Sequence, residues 1–351
     1  MIWDSIRGQS QAVAFLRQSA AAGRLAHALL FTGPPGVGKG LTARLLAMAL
    51  FCERSSDSRL DACGQCRSCR LMEAGTHPDF LTVACPEGKS ELPIELLVGS
   101  LDNRGREGLC HDLSLRPMVA PRRVAVIDDA DRMSTEGANA ILKTLEEPPS
   151  YAIIILLAAD LGKILPTIRS RCQIVRFNPL SVADVAELLS ANKWTESPDE
   201  AQAAAEISGG SLTVAQQVLD PQLRAVRQAL FAQLSKPRLD AFTIAKTLLE
   251  GLDGLGGDTQ RQRTNARWIV RFAVELLRKR IRDSCDGYPE AIGATETLGR
   301  AIERCIDAEE QIDANASIPL CLEALAGDLA AILNACAFDS ARHSQGAAPT
   351  A

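Results

Sequence analysis

Aromatic residues are scarce, only 4% of the 351 positions, too few to build a platform on which nucleobases stack. Positive charge is in deficit too: 38 Lys and Arg against 43 Asp and Glu leave a net charge of -5. A chain whose main task was to grip nucleic acid by itself would need a basic surface to neutralise phosphates. That class is excluded as the principal one; a minor DNA contact inside a larger assembly is not. Long hydrophobic runs are missing: the longest, Ala152 to Ala159, is far too short to span a bilayer. The start, Met1-Ile2-Trp3-Asp4-Ser5, lacks the basic-then-apolar pattern of a secretory leader. The expectation is a cytoplasmic protein. In that compartment the 11 cysteines are not disulfide staples, and clustered ones point to metal.

What is present is enough to fill a core. Hydrophobic residues make up 46% and charged ones 23%, and the length suits two or three domains. The most informative stretch is Phe31-Thr32-Gly33-Pro34-Pro35-Gly36-Val37-Gly38-Lys39-Gly40. It reads as a phosphate-cradling loop with its last position altered. Such a loop uses glycines so that backbone N–H groups can close on phosphate oxygens, Lys to reach the terminal phosphates, and a Ser or Thr hydroxyl to hold magnesium. Gly33, Gly36, Gly38 and Lys39 are in place, but Gly40 stands where the hydroxyl belongs.

The surroundings suit that reading. Gln9 to Gly23 has helical spacing, His27 to Phe31 is a short buried strand, and Leu41 to Phe51 is the helix behind the loop. Val124 to Ile127 is a second strand, ending in Asp128-Asp129-Ala130-Asp131. Ala138 to Glu147 is a helix stopped by Pro148-Pro149. Ala152 to Leu157 and Gln173 to Phe177 complete four strands. Strands alternating with helices imply a parallel sheet covered on both faces. Beyond Pro179 the pattern becomes short helices over 182–218, interrupted at Ser208-Gly209-Gly210-Ser211. From Gln222 it is helical throughout, broken by a glycine-rich loop from Gly251 to Gly257. Trp268 to Ile281 is amphipathic with a basic face. A small polar tail, 339–351, is expected to be disordered.

Cys52, Cys63, Cys66 and Cys69 form a C-x10-C-x2-C-x2-C cluster. Thiolates two residues apart can face one tetrahedral zinc, with the fourth supplied from the end of the preceding helix. Four thiolates leave no open position, so the expected Zn²⁺ is structural. Cys85, Cys110, Cys172, Cys285, Cys305, Cys321 and Cys336 read as ordinary buried thiols. Asp128 ends an apolar strand, where a magnesium-holding carboxylate sits in phosphate-loop proteins; given the loop upstream, a solvated strand-end aspartate is the lesser alternative. Asp129 follows where a hydrolytic site would want the longer Glu, and a small misplacement costs about a hundredfold in rate. Arg171, in Ser170-Arg171-Cys172, could be an arginine finger that stabilises charge on a transferring phosphate. From the bare tripeptide a surface ion pair is the plainer reading.

These segments together resemble one family. His27 to Gly36, the four cysteines, His77-Pro78-Asp79, Val126 to Asp131, Asn139 to Pro149 and Ser170-Arg171-Cys172 are similar, in order, to the bacterial clamp-loader subunits of DNA polymerase III, which are AAA+ proteins. The motifs cover about the first half of the chain; the rest matches only in being helical. The resemblance implies an α/β AAA+ P-loop domain with a parallel sheet over 1–178, a zinc module inserted at 52–69, a helical lid over 179–220 and an all-α collar over 221–338. Two branches of the family share the cysteines, the ATP-hydrolysing gamma/tau branch and the delta-prime branch. Gly40, Asp129, Ala158-Ala159-Asp160 in place of a polar sensor, and Thr213 in place of a phosphate-sensing Arg all depart from the hydrolysing pattern. The resemblance thus implies the delta-prime branch, with Arg171 completing the ATP site of a neighbouring gamma/tau subunit. It implies gamma/tau and delta subunits as partners, with the sliding clamp and primed DNA met through the assembly. ATP could still bind this chain at Gly33, Gly36, Gly38, Lys39 and Asp128, without turnover.

Three other readings compete. An active gamma/tau-like ATPase would turn over ATP alone. A nucleotide kinase with a zinc-bearing lid would need that lid after the nucleotide core, whereas the cysteines directly follow the loop helix. A zinc-dependent DNA-binding module would need a basic stripe near the cysteines.

Overall fold

Short apolar runs become the strands of one sheet: β1 (Ala28–Thr32), β2 (Phe80–Val83), β3 (Arg123–Ile127), β4 (Ala152–Ala158) and β5 (Gln173–Arg176). All pair in parallel, in the order β2-β3-β4-β1-β5. This is a computed structural model, and it describes residues 2–86, 89, 91–257, 259–285, 292–314 and 316–345. The sheet belongs to the first of two units, Met1–Gln216; the second is Gln217–Ala351. Because side chains alternate along a strand, each central strand feeds two cores. Leu29 and Phe31 of β1, Val124 and Val126 of β3, and Ile153, Ile155 and Leu157 of β4 enter one. Ala28, Leu30, Ala125, Ile127, Ile154 and Leu156 enter the other. Burial on both faces explains why these strands read as continuous apolar runs.

The helices of the first unit are α1 (Ser10–Ala21), α2 (Lys39–Phe51), α3 (Arg67–Glu73), α4 (Ile94–Val98), α5 (Leu109–Ser114), α6 (Thr135–Glu146), α7 (Pro166–Arg169), α8 (Val182–Ala191), α9 (Pro198–Ile207) and α10 (Leu212–Leu219), the last crossing into the second unit. Helices α1 and α2 and the cysteine segment pack on the first face; α4 to α7 pack on the second. Side-chain caps fix several starts, as expected where backbone N–H groups lack helical partners. Ser134 accepts from Gly137 N, Ser181 from Asp184 N and Ser197 from Glu200 N.

One strand is not among the four expected. Phe80–Val83 forms β2, at the sheet edge beside β3. It is four residues long and only half-buried, so neither length nor hydrophobicity marks it. The preceding His77-Pro78-Asp79 positions it. Asp79 is wholly buried and accepts from the backbone N–H groups of Met118, Val119 and Ala120 at 2.7, 2.7 and 2.9 Å, with the buried Arg123 3.5 Å away. Burial alone would raise its carboxyl pKa, but the N–H groups donated by Ala120, Met118 and Val119 together with Arg123 outweigh it and hold it below the usual 3.8. A carboxyl depressed by folding contributes stability above its ordinary value and loses it as pH falls through the lower folded one. Asp79→Asn turns an N–H group toward backbone donors. We expect it to destabilise the chain by roughly 2–3 kcal/mol in urea denaturation at pH 7, with the gap from wild type narrowing below about pH 4.

The second unit is helical: α11 (Pro221–Leu234), α12 (Ala241–Leu255), α13 (Thr259–Cys285), α14 (Ile292–Asp313) and α15 (Ile318–Gln345). Leu223, Leu230 and Leu234 of α11, and Ile244, Leu248 and Leu252 of α12, line one face of each helix and are buried. The glycine-rich break expected over Gly251 to Gly257 shrinks to Gly256-Gly257, since α12 runs through Gly251 and Gly254. Gly251 is there for close packing: a β-carbon on it would lie 2.7 Å from Val226 Cγ1 of α11. Part of the basic character of α13 is matched by the neighbouring helices, while Arg278, Lys279 and Arg282 are exposed. Arg271 and Arg267 pair with Glu309 and Asp313 of α14, Arg263 donates to Ile312 O, and Arg280 donates to Leu234 O of α11. Glu275 takes both Nε and a terminal nitrogen of Arg227.

Ile318–Ala335 in α15 is long and apolar enough to cross a membrane by composition alone. Its Leu322, Leu325, Ala326 and Leu329 are buried, and the helix packs on α12 and α14. The tail expected to be disordered from 339 is helical through Gln345. No proline or glycine interrupts 328–345; residues 346–351 lie outside the described ones.

Candidate nucleotide cleft and metal centre

The loop between β1 and α2 emerges at the carboxyl end of the central strand, where parallel sheets open a crevice. Gly38 caps α2 in the left-handed region, and its carbonyl receives both the N–H and the hydroxyl of Thr42 at 2.9 and 2.8 Å. Gly36, at φ 71°, has no room for a side chain: a β-carbon would meet Thr213 N at 2.4 Å. Helix α10 therefore lies directly on the loop. Ser211 caps α10 by accepting from Val214 N while donating its hydroxyl to Pro35 O at 2.7 Å. Gln9 clasps the loop from the other side, donating to Val37 O at 3.3 Å and Asn178 O at 2.7 Å and accepting from Asn178 N.

Lys39 is buried, and its ammonium donates to Gly33 O and Pro34 O at 2.6 and 2.8 Å. Burial pushes its pKa down, while Asp128, Asp131 and Asp129 pull it up. Asp128 is exposed at the end of β3, and its Oδ1 accepts from Asp129 N. Asp129 has φ 54° and lies 3.6 Å from Arg132. Burial first, then the charge of Asp128, raise its carboxyl above the usual value. Asp131 accepts from Ala159 N and Asp160 N, so the segment that stands in place of a polar sensor is tied by its backbone to the turn after β3.

A cleft of about 520 Å³ opens beside the loop. Gly36, Gly38, Lys39, Gly40 and Asp128 form its polar end; Ile6, Leu180, Leu188, Trp194 and Leu212 form its apolar part. The structure thus brings together every expected nucleotide residue except Gly33, which lies behind Lys39. The sequence did not mark Ser5-Ile6-Arg7, Gln9, Asn192 or Trp194, which reach the site from outside the core motifs. A polar Gln9 at the head of an apolar helix was the one available signal. Gly40 is exposed, and a β-carbon there would meet nothing closer than Leu157 Cδ1 at 3.8 Å. Space does not exclude a hydroxyl. We expect Gly40→Ser to stabilise the first unit by roughly 0.5 kcal/mol through helix propensity, measurable by thermal melting.

Arg171 lies away from the cleft, on an exposed corner after α7. Its Nε and a terminal nitrogen both reach Glu146 Oε1, at 2.7 and 2.5 Å, and its other terminal nitrogen reaches Thr167 O and Ser170 Oγ. In the free chain it forms the ion pair that the tripeptide alone suggested. Glu146, at the end of α6, is a partner the sequence did not reveal.

The four clustered cysteines converge. Their sulfurs all lie within 4.8 Å of one another, and Cys63 Sγ is 4.0 Å from Cys69 Sγ. Tetrahedral zinc with Zn–S bonds of about 2.3 Å needs sulfurs about 3.8 Å apart, so the donor set fits. Backbone N–H groups point at the sulfurs: Gln65 and Cys66 at Cys63, Cys69 at Cys66, and Cys63 at Cys52. Donation from Gln65 and Cys66 draws the Cys63 thiol down to about 6, while burial pushes Cys69 up. Four thiolates this close need a cation to ionise together, and a bound metal would supply it. The remaining thiols differ. Cys172, Cys305 and Cys321 are buried, Cys85 and Cys110 are half-buried, and the side chains of Cys285 and Cys336 lie outside the described ones.

Comparison with known proteins agrees with the motif order. A family model described as "DNA polymerase III, delta subunit" matches residues 8–181. DNA polymerase III subunit delta' of Escherichia coli is 32% identical over 260 residues, 74% of this chain and 72% of that one. The same subunit of Pseudomonas aeruginosa is 32% identical over 215 residues, and there the match spans 60% of this chain and 61% of that protein. The tau subunit of E. coli is also 32% identical, over 217 residues, but only 32% of its length is covered. Among solved structures, a gamma subunit-related protein of Thermotoga maritima overlaps at a TM-score of 0.42 and 16% identity, covering 91% of this chain and 99% of that one. With the loop, the cysteine cluster and the parallel sheet in place, the chain belongs to the DNA polymerase III subunit delta' family.

Proposed function

We propose that the chain is a clamp-loader component of DNA polymerase III that does not itself hydrolyse ATP and that helps load the sliding clamp onto primed DNA. One observation carries the reading. The loop keeps its glycines and Lys39, yet lacks the two groups hydrolysis needs. Gly40 offers no hydroxyl, and Asp129 is short, left-handed in its backbone and close to Arg132. The names of its relatives support the assembly; gamma/tau and delta subunits are the partners in this reading.

Arg171 then acts in trans, exchanging Glu146 for the phosphates bound by a gamma/tau neighbour. Its exposure on a corner outside its own cleft favours that role over one in cis. The cleft retains nucleotide affinity without turnover, since anion attraction at a helix N-terminus survives loss of one hydroxyl. Zinc at Cys52, Cys63, Cys66 and Cys69 is structural. Residues 1–178 serve as the AAA+ domain, 179–220 as its lid and 221–338 as the collar that holds the subunit in the assembly, in the cytoplasm. The test is ATP turnover by the isolated chain and by the loader reconstituted with Arg171→Ala. A gamma/tau-like ATPase is the second reading, favoured by the open cleft and the retained Lys39. It requires brisk turnover by the isolated chain that Lys39→Ala abolishes.

A further inference from the structure

Residues 2–7 connect the cysteine module to the nucleotide cleft. We propose that a metal bound by the four cysteines holds this segment in place as one wall of the cleft, so that metal loss opens the cleft.

The link starts at the arc between Cys52 and Cys63. Trp3 is buried, and its indole N–H donates to Leu60 O at 2.7 Å; the Ile2 amide donates to Asp61 Oδ1 at 3.3 Å. Leu60 is wholly buried at φ 44°, a conformation that a leucine keeps only where its surroundings enforce it. It is also the one buried residue between Glu53 and Ala62. The arc therefore has little core of its own. Its ends are joined by the Cys63 N–H to Cys52 Sγ contact and by the metal those two sulfurs would share.

From Trp3 the link continues as one closed turn. The Ser5 hydroxyl donates to Ile2 O and Ile6 N donates to Trp3 O, and Ser5, Ile6 and Arg7 then face the cleft opposite Gly38 and Lys39. Beyond the arc the charged side chains of this segment make exposed ties, Arg7 pairing with Glu187 at 2.9 Å and Asp4 lying in the field of Arg17, of the kind that contributes little; Ile2, Trp3 and Ile6 also pack on the core of the first face. Downstream, Gln9 is clamped independently to Val37 and Asn178. Release of the arc removes the Trp3 and Ile2 hydrogen bonds, so residues 2–7 should loosen while α1, clamped through Gln9, stays in place.

The test uses the full chain, hydrogen exchange and zinc content. Chelation is expected to speed exchange at residues 2–7 and 53–62 while β1 and α1 stay protected. Because coupling between two sites is reciprocal, Trp3→Phe, which keeps a ring and loses the indole donor, should weaken zinc affinity in chelator competition by roughly tenfold, the worth of one buried hydrogen bond. It should also speed exchange at Ile6 and Arg7 with metal still bound. This arm decides the matter even if the metal-free chain unfolds. A wild-type chain that holds no metal overturns the metal assignment and this proposal with it. A metal-bearing chain whose Trp3→Phe variant keeps both zinc affinity and protection of residues 2–7 overturns this proposal alone.

Discussion

If Arg171 acts in trans as proposed, replacing it by alanine is expected to lower ATP turnover at the neighbouring site by about 10³-fold or more, the usual worth of an arginine finger. The chain itself should not suffer. Arg171 and Glu146 are 36% and 46% exposed, and an exposed pair contributes under about 1 kcal/mol. Melting temperature and incorporation into the reconstituted loader should therefore match wild type while ATPase falls. Arg171→Lys should not restore the rate, because a compact ammonium cannot offer the planar fork of a guanidinium. Glu146→Gln is a useful companion. It removes the negative charge that holds the guanidinium in the free chain without touching the finger. Unchanged ATPase in an assembled loader carrying Arg171→Ala would refute the role in trans.

Removing the metal should have the largest effect on stability. Structural zinc in small finger peptides contributes about 10–16 kcal/mol of apparent binding energy. Only part of that appears in a unit that has its own sheet core. The cysteine segment nevertheless sits within that core: Cys66 and Cys69 are buried beside Phe51, Leu60 and Met72. We expect chelation, or Cys69→Ala, to cost at least about 3 kcal/mol and to lower the melting temperature of the first unit by roughly 6–12 °C. The second unit, which has no part in the site, should melt as before. Calorimetry with and without chelator checks this, and identical first-unit transitions would rule out a stabilising metal.

The sequence carried the nucleotide loop, the cysteine ligands and the central strands because each rests on local chemistry. Gly36 and Lys39 are fixed by what a phosphate loop needs, the cysteines by their spacing, and β1, β3 and β4 by burial on both faces. Strand β2 was hidden because it is short and half-buried, and what positions it is Asp79 accepting from backbone some 40 residues away. Gly251 suggested a loop and is instead a contact point between helices. Arg267 and Arg271 of α13 are matched by carboxylates of α14, a pairing that no pattern within either helix announces.

The amino-acid sequence by itself determined which groups this protein has and which it has lost: a phosphate loop without its hydroxyl, a short Asp129, four thiols ready for one metal. These follow from residue type and spacing over a few positions. Only the tertiary structure decided what surrounds them: that α10 lies against Gly36, that Glu146 holds Arg171, and that Trp3 joins the cysteine arc to the cleft. Those are contacts between residues far apart in the chain, and their partners are chosen by the packing of whole elements, which no local pattern encodes.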